Sequence, residues 1–176
     1  HRPCICHSVV ALSYRPPVPM LNDRRPWLHL GLLGGTVAIV LLAASPPFLP
    51  AAWRPVLYAA FAPACHQLPA RSPHVDGIAL AVCDRCAGIY LGLVAGVAAA
   101  ALLRSLWRGL GPAGRYVLLG ALLPLGIDWI AGWVGLWQGT PFTRAGTGFL
   151  CGAVAASFVA HSLLARSEQP SSPEAA

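Results

Sequence analysis

The chain has 176 residues, 56% of them hydrophobic and only 10% charged, with a mean hydropathy of +0.62 and a formal net charge of +6. A soluble domain carries about 25% charged residues, so this composition excludes an ordinary water-soluble globule and points to a membrane protein. The basic residues are all Arg and they flank apolar runs, which is the pattern of membrane orientation and argues against nucleic acid as a partner.

Residues 1–26 read as a disordered leader or an over-extended gene start. The chain opens on His1, and its single Met, Met20, begins a short basic head before an apolar run. Cys4, Cys6 and His7 fall in this Pro-rich stretch and carry little weight as a metal site. A bilayer core about 30 Å thick needs about 20 largely apolar residues per helix. Four stretches meet that need: Trp27 to Ala44, Ala87 to Leu103, Tyr116 to Trp137 and Ala145 to Leu164. The first is longer than the apolar core of a cleavable signal and reads as a retained span. The expectation is an all-α membrane protein, a four-helix transmembrane bundle over residues 27–164, followed by a polar, Pro-rich, disordered tail at 165–176.

Arg24 and Arg25 precede the first span, Arg104, Arg108 and Arg115 fill the connection between the second and third, and Arg166 follows the fourth. The positive-inside rule puts these in the cytoplasm of a prokaryote, with both termini inside its plasma membrane and residues 46–86 as the main extracytoplasmic loop. In that loop, the apolar stretch around Trp53 to Phe61 is cut by Pro55 and Pro63 and suits the membrane interface. Asp76-Gly77 is a hairpin-turn signal that would carry the chain back from Cys65 toward Cys83. Gly88, Gly92 and Gly96 recur every four residues on the second span. Gly148, Gly152, Ala156 and Ala160 do the same on the fourth. Such stripes let helix backbones approach closely, so these two spans are expected to pack on each other.

The chemistry-bearing residues gather at the mouth of the second span. Cys83 and Cys86 are three apart at a helix start and share a face. A helix N-terminus favours thiolate over thiol. With Cys65 and His66 they make four candidate ligands, the donor set of a tetrahedral zinc site, with three thiolates and one outside group as a variant. A Cys83–Cys86 disulfide is the rival reading for a loop outside the cytoplasm. Cys151 stands alone in the fourth span and reads as a packing residue. Asp128 lies inside the third span, four residues after Pro124. An intramembrane carboxylate faces the bundle interior and needs a partner, for which Arg144 or a polar group of the loop is expected. Trp129, Trp133 and Trp137 read as packing and interface residues.

The texts "CHQLPARS", "CDRCAGIYLG", "LGIDW" and "TRAGTGFLCG" resemble a family of prokaryotic predicted membrane proteins known as domain of unknown function 2085, from about Cys65 to Gly152. The resemblance carries over onto Cys65, His66, Gln67, Arg71, Cys83, Cys86, Gly88, Tyr90, Asp128, Arg144, Thr147 and Gly148. This chain departs from the family pattern at Trp129, where the family has Gly, and at Pro141, where it has Asn. The family has no established activity, so the resemblance implies a class and a site without a reaction. Three functions are therefore carried: a membrane protein with a zinc-holding loop, a membrane thiol-disulfide oxidoreductase using Cys83 and Cys86, and a small transporter or ion-binding protein using Asp128. The bilayer is the expected partner, with a homo-oligomer or a second membrane protein left open.

Overall fold

The computed structural model describes residues 25–166. The leader cysteines and nearly all of the polar tail lie outside them. Six helices are formed: α1 Arg25–Ala44, α2 Arg54–Phe61, α3 Asp84–Ala99, α4 Arg104–Leu110, α5 Gly114–Trp133 and α6 Pro141–Arg166. Two short strands, β1 His74–Val75 and β2 Ile78–Ala79, and four single-turn 3-10 helices complete the regular structure of the described residues.

Among the described residues three helical stretches are long and apolar enough to cross a membrane: Pro26–Ala44, Arg104–Trp133 and Pro141–Ala165. α3, expected to continue to Leu103, has 16 residues, about 24 Å of helix and less than a full crossing. It stops because the Ala100 amide bonds to the Val97 carbonyl at 3.1 Å, tightening the last turn before α4 starts afresh.

The other boundaries follow local chemistry. α5 ends at Trp133 and not at Trp137. Gly135, at φ +76, turns the chain in the left-handed region that glycine enters freely, and the Trp137 amide bonds back to the Ala131 carbonyl. α6 starts at Pro141, four residues before the expected Ala145. Pro suits the first helical position. Thr140 and Thr143 cap this start reciprocally: each backbone amide donates to the other's hydroxyl oxygen, at 2.9 and 3.1 Å.

α3 packs most extensively on α6, and the glycine stripes explain the approach. A Cβ placed on Gly88, Gly92 or Gly96 would meet the carbonyl oxygen of Ala145, Phe149 or Ala153 at 2.1–2.3 Å. Gly148 and Gly152 present the same closeness to the carbonyls of Arg85 and Ile89, at 2.3 Å. Partner numbers rise together along both helices, so α3 and α6 run parallel with backbones in contact, as the stripes predicted. α1 lies along α3, and α5 lies along α6. α5 leaves Leu119, Leu123, Ile127 and Ile130 exposed, an apolar face suited to lipid. At the end of the bundle away from the cysteines, Trp107 packs edge-on against Phe158 at 5.2 Å.

The segment between α1 and α3 is stitched down at one end of the bundle. Asp76 and Gly77 both have positive φ, as a two-residue hairpin turn requires, and β1 pairs antiparallel with β2, His74 opposite Ala79 and Val75 opposite Ile78. The Tyr58 hydroxyl donates to the Ala79 carbonyl at 2.6 Å, and the Ala81 amide donates to the Ala43 carbonyl at 3.0 Å. The hairpin is thereby tied both to α2 and to the end of α1.

Candidate metal centre

Cys65 leaves α2 through a final backbone bond, its amide to the Phe61 carbonyl at 3.0 Å. Two residues on, Gln67 adopts φ +48 and its side-chain amide donates to the carbonyls of Tyr58 and Ala81, both at 2.8 Å. This one side chain clamps the Cys65 turn between α2 and the approach to α3. Cys83 is the N-cap of α3, with extended backbone, and Cys86 follows in the first turn. The three sulfurs come together, all within 4.8 Å of one another. Behind them lies a small apolar core of Ala43 and Val82, backed by Phe61 and Tyr90.

The four cysteines among the described residues are all unbonded. The Cys83 amide donates to the Cys65 sulfur at 3.1 Å, and the Cys86 sulfur lies 3.8 Å from the Ala64 carbonyl oxygen. Donation from the Cys86 thiol is the largest influence on Cys83 and lowers its pKa to about 5; the peptide N–H groups of Cys86 and Arg85 at the helix start and the Cys65 side chain act the same way, against the opposing effect of burial. Cys86 is pushed up in turn, first by giving its proton toward Cys83, then by burial and the neighbouring sulfur charges. These hydrogen bonds favour the thiolate form of Cys83, the form that binds metal.

His66 stands outside the group of three sulfurs and is exposed on the rim of the adjoining cleft. The cleft has a volume of about 590 Å³ and is bordered by Cys65, Cys83 and Cys86 on one side and by Asp128, Trp129 and Trp133 of α5 on the other. Arg71 also lines it and is exposed. Tyr90 packs against Phe61, ring centroids 6.0 Å apart. Thr147 uses its hydroxyl on the Thr143 carbonyl at 2.9 Å, one turn back in α6, and does not line the cleft.

Asp128 is buried, as expected for an intramembrane carboxylate, and of the two expected kinds of partner it takes the polar group of the loop, Arg85, rather than Arg144. Arg144 instead faces Asp84, at 3.9 Å. Burial raises the Asp84 pKa, and the Arg144 charge offsets that rise. So Asp84 and Arg85, adjacent at the start of α3, reach α6 and α5 respectively, and two cross-helix pairs brace the end of the bundle beside the thiols. Gly139, at φ +59, makes room for this arrangement: a Cβ there would sit 3.2 Å from both Asp128 Oδ1 and Arg144 Nε. Sequence reasoning missed Asp84 and Arg85. The signal was their place between the two cysteines, where two opposite charges at a membrane face balance one Asp and one Arg on neighbouring helices.

The family model of predicted membrane proteins, DUF2085, matches residues 65–158, which include every residue of the thiol cluster and of both ion pairs. An uncharacterized protein of Methanocaldococcus jannaschii is 35% identical over 96 residues, covering 54% of this chain and 61% of the relative's length. No solved structure matches the chain.

Proposed function

Because the chain belongs to the DUF2085 family of predicted membrane proteins, we propose that it is a small integral membrane protein whose loop is fastened by zinc held on Cys65, Cys83 and Cys86. The observation that carries the reading is the convergence of three sulfurs from two separated segments within 4.8 Å. Soft thiolate donors favour zinc, with copper(I) and iron, over hard ions such as magnesium and calcium. An amide donating to the Cys65 sulfur is the kind of outer contact that orients a metal ligand. Such an ion would bind the end of α2 to the start of α3 and so fix the loop on the bundle. The arginine asymmetry supports a multi-pass topology in a prokaryotic plasma membrane, with both termini in the cytoplasm and the thiol end outside. In that topology α3 is the fourth crossing, its short length offset by burial between α1 and α6.

A thiol-disulfide oxidoreductase is the second reading, favoured by one observation: the Cys83 and Cys86 sulfurs lie unbonded within 4.8 Å of each other at the start of α3. Its chemistry would join those two sulfurs while two electrons pass to an acceptor. The transporter reading is weakened by the Arg85 counter-charge on Asp128, which gives that carboxylate a structural partner. Zinc content of the detergent-purified protein separates the first two readings. One zinc per chain, lost in Cys83→Ser, supports the metal site; a metal-free protein with a reducible Cys83–Cys86 bond supports the oxidoreductase.

A further inference from the structure

Three sulfurs leave a tetrahedral metal one ligand short. The side chains nearest the thiols are already committed. The Gln67 amide is held by two backbone carbonyls. Asp128 is paired with Arg85, and Asp84 faces Arg144. His66, the fourth donor that the sequence suggested, is exposed and outside the sulfur group. Behind the cluster stand Ala43, Val82 and Phe61, which offer no donor, and Tyr90, whose neutral phenol is a hard oxygen donor and a poor match for a centre held by thiolates.

The remaining side is the cleft. Cys65 is buried, 4% exposed, whereas Cys83 and Cys86 are partly open, and all three border the space of about 590 Å³. That volume is many times the roughly 30 Å³ share of a water molecule, so it admits an organic ligand. Resting on the zinc reading, we infer that the metal's fourth position opens into this cleft and takes a low-molecular-weight thiol from outside the protein. Softness sets the class: a centre already bound by three thiolates prefers another sulfur to an oxygen donor. The walls suit a short organic chain, with Trp129 and Trp133 on α5, the Arg85–Asp128 pair, and Arg71 and Arg144 as further cations at the lining. Binding is coordination alone. The thiol releases its proton to solvent, its sulfur lone pair joins the metal, and no electron is transferred.

The test uses the full-length protein in detergent, loaded with one cobalt(II) per chain in place of zinc. Thiolate-to-cobalt charge-transfer absorption follows the number of bound sulfurs. Adding 2-mercaptoethanol should raise it by about one third, as three thiolates become four, and imidazole should shift the visible bands without that rise. His66→Ala should respond like the unaltered protein. An unchanged spectrum in a cobalt-loaded protein overturns the inference and leaves the metal site standing, as does a response that appears only in His66→Ala, which would make His66 the fourth ligand. Failure to bind any metal overturns the site itself, and cobalt stripped by the thiol overturns the open position.

Discussion

Gly92→Ala is the sharpest test of how the bundle is held. A Cβ at this position would lie 2.3 Å from the Phe149 carbonyl oxygen and 2.8 Å from the Ala153 amide nitrogen. Both are backbone atoms of α6, so no rotamer change relieves the clash, and α3 must retreat by about 1 Å to reach ordinary contact. A gap of that size forfeits about a quarter to a half of the dispersion energy along the seam, and overpacking typically costs about 1–3 kcal/mol. In the other direction, Ala gains up to about 1 kcal/mol of helix propensity. The expected net loss is about 2 kcal/mol, and Gly92→Leu should be worse. Gly34 on α1 is the control, since a Cβ there meets nothing within 4 Å, so Gly34→Ala should be neutral or mildly stabilising. Thermal unfolding in one detergent should place Gly92→Ala below Gly34→Ala by about 4–12 °C, using about 2–4 °C per kcal/mol. Equal melting temperatures would refute backbone contact as the basis of the α3–α6 seam.

Asp128→Asn leaves the Arg85 guanidinium without its buried counter-charge and should destabilise by about 3–5 kcal/mol, with part recovered in Asp128→Asn/Arg85→Gln; a single variant as stable as the parent in a melt would contradict the pairing. Gln67→Ala strands the carbonyls of Tyr58 and Ala81; it should weaken zinc binding about tenfold in a competitive chelator titration, and unchanged affinity would remove Gln67 from the support of the site.

Much of this architecture was legible because membrane burial imposes simple rules. The glycine periodicity on residues 88–96 and 148–152 identified the seam because only small residues permit backbone contact in lipid. Asp76-Gly77 identified the hairpin because both positions need positive φ. The three cysteines were found by residue type and spacing. Helix ends were less legible. Hydropathy does not register the tight turn at Ala100 or the left-handed Gly135, and the Thr140–Thr143 cap precedes the apolar run that it starts. The partner of Asp128 was expected to be Arg144 or a polar group of the loop, and it is the latter, Arg85. Sequence separation alone could not choose between them: the start of α3 lies against α6, so that Arg85 reaches Asp128 and Asp84 takes Arg144. His66 was grouped with Cys65 by adjacency, but neighbouring side chains in this turn diverge, one into the core and one to the rim.

The central claim, a metal held by three sulfurs, is tested most directly by zinc-edge X-ray absorption on protein purified in detergent without added thiol. One zinc per chain is expected, with three sulfur neighbours at about 2.3 Å and one lighter neighbour. Protein free of metal, with Cys83 and Cys86 joined as a disulfide, would contradict it.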